Sequence, residues 1–354
     1  MKKMLFLFPA LLLLACSQPA KVDPNAEQAK KIATLYTGTL PCADCEGIAY
    51  ALVLKPDMTY EAKLTYRGKS AEPITQTGNW KLEGNKVTLD KPAEGMNQFE
   101  VGDKKLTMLD LSGKKITGAL ADLYNLYVPE EGAPAPQLSV WSKKYLEGIE
   151  FVAMGNEPSW SLDIDFDRMF RFKSISADSL NTPPLLAKNW RDGVLTYEAK
   201  TEAGSMTVTI AKQPCTDNMS GENFDYTVTV KTKTKEYKGC GRYLRGALGS
   251  LWTLKTMNGA APDPKAFVKG MPVLQISKSE GRYFGNDGCN SINGKLKLDG
   301  TKATFEKGIS TLMACPGNGA DEYTKALFSV TEYKMTDTEL TLMAGGKPVL
   351  VYGL

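Results

Sequence analysis

Apolar and polar residues alternate in short runs over most of the chain, and a two-residue period predicts β-strands with one face buried. Leu162, Ile164 and Phe166 alternate with Ser161, Asp163 and Asp165, and residues 226–231 alternate equally well. The apolar run 49–54 is turned by Lys55-Pro56-Asp57 and returns over 59–66. Residues 79–82 and 86–89 flank Glu83-Gly84-Asn85, which predicts a second hairpin. Further strands are predicted over 273–276, 295–298, 303–305, 340–343 and 348–352. A helical period shows over 321–330, where Tyr323, Ala326, Leu327 and Val330 share one face.

Breaks in this pattern divide the chain. Residues 16–33 are polar with little periodicity and read as a flexible tether reaching roughly 20–25 Å. Residues 129–145 open with a Pro-rich stretch and read as a linker, and 244–250 form a short Gly-containing joint. The expected fold is mainly β: three small antiparallel β domains in series over 34–128, 146–243 and 250–354. The strand spacing of the first suggests a small antiparallel barrel or sandwich. The last carries one helix.

Composition narrows the chemistry. Lys+Arg number 43 against 40 Asp+Glu, and Lys2 and Lys3 stand at the very start, so the rest is nearly neutral. That balance excludes nucleic acid and a polybasic membrane surface as partners. His is absent, which removes Ser-His-Asp and Cys-His mechanisms and every imidazole metal site. The chain is expected to act without catalysis and without a cofactor.

Lys2 and Lys3 precede the apolar run 4–14, which is too short to span a bilayer. Leu13-Leu14-Ala15-Cys16 resembles the lipobox of bacterial lipoproteins. The resemblance implies a signal peptide over 1–15 and lipid on Cys16. Ser17 and Gln18 follow, and the missing Asp implies the outer membrane of a Gram-negative bacterium, facing the periplasm.

Six cysteines remain: Cys42, Cys45, Cys215, Cys240, Cys289 and Cys315. An even number in an exported chain implies disulfides, and their local clustering favours 42–45, 215–240 and 289–315. Closing a loop of about 25 residues is worth roughly 3–4 kcal/mol in the chain-entropy model. Pro41-Cys42-Ala43-Asp44-Cys45 admits three readings: a structural bridge, a redox-sensitive switch, or a Cu(I) site on Cys42 and Cys45. A strand-like run follows it, so it lacks the helix N-terminus that stabilises a redox thiolate.

Tyr36-Thr37-Gly38-Thr39-Leu40-Pro41-Cys42-Ala43-Asp44-Cys45-Glu46-Gly47-Ile48, with Gly78-Asn79-Trp80, resembles the N-terminal domain of the NlpE family. This implies a lipocalin-like barrel on an outer-membrane lipid anchor, a disulfide at the CxxC, and links to copper resistance and a two-component stress system. After residue 129 the resemblance to that family ends. Gly155-Asn156-Glu157-Pro158-Ser159-Trp160, with 214–220 and Lys238-Gly239-Cys240, resembles uncharacterised envelope lipoprotein domains, which implies the 215–240 pairing. Residues 284–294 and 309–316 resemble the META/HslJ domain, which implies a small β-rich domain with one helix, linked to heat-shock and antibiotic stress. Gly, Asn and Asp at 285–290 suit a tight turn, and no P-loop context follows.

These readings point to a lipoprotein of envelope stress response or copper and redox homeostasis, acting by binding or sensing. Its expected partners are the membrane, through its lipid, and an envelope protein, a lipophilic ligand or Cu(I). One alternative is a hydrolase of envelope glycans. Asp163, Asp165 and Asp167 would share one strand face, near Glu157, and would also suit Ca²⁺; against this, Arg168 and Arg171 flank a solvated face. The other alternative is a structural scaffold. Lys231, Lys233 and Lys235 read as an exposed strand face.

Overall fold

The computed structural model describes residues 24–354 except 44, 70, 71, 93, 94, 130–137, 177, 178, 188, 192, 193 and 312. The lipobox and Cys16 lie outside the described residues.

Eight strands, from Leu35–Leu40 to Asn125–Tyr127, close into an antiparallel barrel in sequence order. Closure comes from Thr37 pairing with Tyr127. Ile48–Leu54, apolar throughout, buries every second residue, and Glu83 pairs with Lys86 across the expected hairpin. Inward positions carry Tyr50, Tyr60, Trp80 and Phe99, all fully buried, so large side chains fill the interior.

The middle unit is a nine-stranded antiparallel sheet running from Phe151–Asn156 to Glu236–Tyr243 in sequence, with a separate two-stranded ribbon at Cys215–Thr216 and Asn223–Phe224. Its core is aromatic: Phe166, Phe170 and Tyr197 pack edge-on or tilted around one another, and Phe151 packs edge-on against Tyr243.

Eight more strands, from Trp252–Met257 to Lys347–Gly353, close a second barrel. Its helix, Gly319–Phe328, begins and ends two residues earlier than its periodicity suggests. Tyr323 and Leu327 from this helix are fully buried, and Tyr323 Oη lies 2.9 Å from Tyr352 Oη.

The connecting segments are more ordered than the sequence suggests. Within the expected tether, Pro24–Ile32 forms a helix (α1). Ala29 packs against the first barrel, and Tyr36 donates to the Ile32 carbonyl. Within the expected linker, Val140–Leu146 is helical (α2). Ser139 caps α2, and Asp122 of the first barrel accepts from the Ser139 N–H at 2.7 Å and from the Ser142 hydroxyl. Leu123 joins Trp141, Tyr145, Phe224 and Leu244 in a core shared by barrel and middle sheet. The joint 244–250 is a buried wedge. Ala247 belongs to the middle core and Leu248 to the second barrel, and Gly249 lies so close to Phe166 that a Cβ there would sit 2.3 Å from it.

Candidate functional site

The three units meet around the CxxC. The chain leaves the strand Leu35–Leu40 at Pro41, and the disulfide Cys42–Cys45 holds the two Cα atoms 5.3 Å apart. Both cysteines are 7% exposed. Both belong to the buried cluster of the first barrel, and two residues from outside that barrel hold their backbone. Tyr145, on the last turn of α2, accepts from the Cys42 N–H at 2.7 Å and donates to the Cys42 carbonyl at 2.9 Å. Arg245, from the joint, donates to the Cys45 carbonyl at 2.8 Å.

Arg245 is the hub. Its guanidinium lies 5.2 Å from the Tyr145 ring centroid and 3.5 Å from Glu150, and both charged side chains are about nine-tenths removed from solvent. Glu150 also accepts from the Phe166 N–H at 2.8 Å. Burial pushes the Glu150 carboxyl up to about 7, against the pull of Arg245. Asp337, from the second barrel, is likewise pushed up by burial and drawn down by Arg245. Tyr145 is pushed up chiefly by burial. The chemistry available here is that of a two-electron disulfide held through its backbone; reduced, it would offer two thiols.

The other two expected bridges form within their own units. Cys215–Cys240 ties the small ribbon to the strand Glu236–Tyr243, and Cys289–Cys315 ties the loop before Gly319–Phe328 to the turn at 286–290. That turn is built as its composition suggests: Gly288 has φ +89°, and Asp287 accepts from the N–H groups of Cys289 and Asn290.

The carboxylate face does not form. Asp163 pairs with Lys144 at 2.5 Å. Asp165 is buried and accepts from the N–H groups of Asp167 and Arg168 and from Arg168 Nε. The strand Ser159–Asp165 ends there, so Asp167 sits in the following turn, its carboxyl raised by burial against the pull of Lys278. The pleat breaks before the third aspartate, and Asp163 and Asp165 each pair with a different cation, Lys144 and Arg168. A groove of about 410 Å³ lies nearby, lined by Asn156, Trp160, Lys173 and Ile175 among others, but by neither Glu157 nor any of the three aspartates. Among the described residues no three His, Cys, Asp or Glu side chains gather as metal ligands. Lys231, Lys233 and Lys235 are exposed, but only Lys231 lies in a strand, Tyr226–Thr232; the other two belong to the hairpin turn.

Sequence reasoning missed Asp122, Tyr145, Glu150, Arg245 and Asp337. One signal was present: Arg245 is the single charge in Leu244-Arg245-Gly246-Ala247-Leu248-Gly249-Ser250. A lone cation in so apolar a joint calls for a buried partner.

Comparison with known proteins supports the outer two units. Residues 36–119 match the family model of the NlpE N-terminal domain, and residues 246–353 match that of the META domain. Lipoprotein NlpE of Escherichia coli (strain K12) is 32% identical over 110 residues, covering 29% of this chain and 47% of that protein. The chain thus spans about half the length of that curated relative. Among solved structures, a candidate lipoprotein from Shewanella oneidensis is 35% identical over 30% of this chain and 97% of its own, with a TM-score of 0.27. The Cpx pathway activator NlpE from Escherichia coli is 16% identical over 58% of this chain and 94% of its own, with a TM-score of 0.21.

Proposed function

We propose, for a chain that joins an NlpE N-terminal domain to a META domain, the role of an envelope lipoprotein that senses stress by binding rather than by catalysis. The observation that carries this reading is the match over 36–119, which includes the CxxC. The protein is lipidated at Cys16, held on the outer membrane and facing the periplasm. Its output passes to an envelope protein partner of a two-component stress system, the role that the relative's description as a Cpx pathway activator suggests. The redox state of Cys42–Cys45 is the sensed variable, and Cu(I) is the metal its reduced form would take.

The test is a stress-reporter assay in a Gram-negative host lacking its own copy of the protein. Expression of the full chain raises reporter output, and Cys42→Ser/Cys45→Ser shifts that output. Cys16→Ala moves the protein out of the outer-membrane fraction. A reporter indifferent to the chain in every form sinks the reading.

A further inference from the structure

We infer that the bond between Cys42 and Cys45 operates an interdomain latch. While it is closed, Tyr145 and Arg245 hold the first barrel on the middle unit; once it is reduced, that grip fails and the barrel turns about its second attachment at Asp122. The inference rests on the sensing reading only for its biological use; the mechanics stand on the junction itself.

Tyr145 and Arg245 grip the bridge through its backbone. Tyr145 Oη takes both the N–H and the carbonyl of Cys42, and Arg245 takes the carbonyl of Cys45. Three hydrogen bonds thus converge on two residues whose spacing is set by the bridge, with Cα atoms 5.3 Å apart. A Tyr hydroxyl can serve both the N–H and the carbonyl of one residue only if the φ and ψ between those two peptide groups are held in one arrangement. Closing the bridge confines the loop to a few backbone conformations, so the entropy of ordering it is already spent before docking. Without the bridge the same three bonds must order a free loop.

The remaining contact explains why the barrel swings rather than leaves. Asp122 receives the Ser139 N–H and the Ser142 hydroxyl, and Leu123 lies in the shared core with Trp141 and Tyr145. Asp122 and Leu123 sit on the Ala121–Tyr124 turn, outside the CxxC loop.

The chemistry is ordinary thiol–disulfide exchange. A dithiol such as dithiothreitol supplies two electrons and two protons; the Cys42–Cys45 sulfur bond breaks, two thiols form, and the reductant closes to its cyclic disulfide. Linkage makes the coupling reciprocal: if the closed bridge tightens the grip of Tyr145 and Arg245, that grip in turn favours the closed bridge.

Hydrogen exchange read by mass spectrometry on the full chain tests this, with alkylation identifying which bridge is open. In the oxidised protein, amides in 40–48 and 143–150 are protected together. In Cys42→Ser/Cys45→Ser, and in wild type with 42–45 reduced by dithiothreitol, exchange in both segments rises at least tenfold, while 321–328 in the second barrel is unchanged. Tyr145→Phe shows the same rise while still oxidised, and its bridge is reduced several-fold faster. Unchanged protection of 143–150 after 42–45 opens, or an unchanged reduction rate in Tyr145→Phe, overturns the latch. Exchange that rises while the stress reporter stays flat leaves the latch standing and removes the sensing role. A reporter that responds while exchange stays flat does the reverse.

Discussion

Arg245 and Glu150 stand 3.5 Å apart in near-complete burial, and yet Glu150 titrates near 7 rather than in the acid range. Desolvation outweighs the ion pair, with Asp165 and Asp167 adding to the same side. The folded state therefore binds more protons than the unfolded one between the ordinary Glu value and about 7. Stability from this group is present below the unfolded value and declines as pH rises through 7. Unfolding free energies measured from pH 5 to 8 should fall in wild type by an amount on the order of 2 kcal/mol. Glu150→Gln, which keeps an acceptor for Phe166, should flatten the slope, leaving the smaller part due to Asp337 and Asp167. Parallel profiles for the two proteins would refute this.

Asp122→Ala should cost about 1–2 kcal/mol in urea unfolding, because it strips the Ser139 N–H and the Ser142 hydroxyl of their acceptor at the start of α2. Asp122→Asn should recover part of that. A loss below 0.3 kcal/mol, taken as an order-of-magnitude threshold, would mean that water replaces the carboxylate without penalty.

Gly288 and Gly300 both have positive φ, at +89° and +56°, but only Gly288 faces a wall: a Cβ there would lie 2.2 Å from the Phe267 ring. Gly300→Ala should cost about 1 kcal/mol from backbone conformation alone. Gly288→Ala should cost about 2 kcal/mol more, through displacement of Phe267 from the barrel core. Equal thermal shifts in the two variants would show that the ring yields freely.

The three bridges should separate by loop length. Cys215→Ser/Cys240→Ser and Cys289→Ser/Cys315→Ser open bridges spanning 25 and 26 residues and should each lose about 3–4 kcal/mol. Cys42→Ser/Cys45→Ser, spanning 3, should lose clearly less of global stability. Chemical denaturation of the three double variants decides the order. A 42–45 loss as large as the others would mean that this bridge is a structural staple.

Leu327→Ala in the second barrel should lose about 2–5 kcal/mol, since Leu327 is fully buried between helix and sheet. Far-ultraviolet circular dichroism melts would show this as a lowered transition for the META barrel. A shift no larger than that of an exposed substitution such as Val268→Ala would contradict the packing described.

The chain's strands, hairpins and local disulfides were readable from its sequence because their causes are local. A two-residue alternation places Tyr226–Thr232 half in a core whatever lies beyond it, and Gly84 turns the hairpin on its own. Cysteines 25 or 26 residues apart within one unit meet because short antiparallel strands return the chain to itself. The fate of the aspartates was less legible: alternation placed Asp163, Asp165 and Asp167 on one face, but the strand stops at Asp165 and its carboxylate turns to cap the bend. The junction was not legible at all. Tyr145 meets Cys42 across 103 residues, and Arg245 meets Cys45 across 200. No periodicity spans such separations. Those partners are chosen only when three folded surfaces close on one another and each polar group shut off from water must find an acceptor or donor. Sequence alone located the CxxC and left three readings of it open; only the packed structure closed the bridge and set Tyr145 and Arg245 on its backbone.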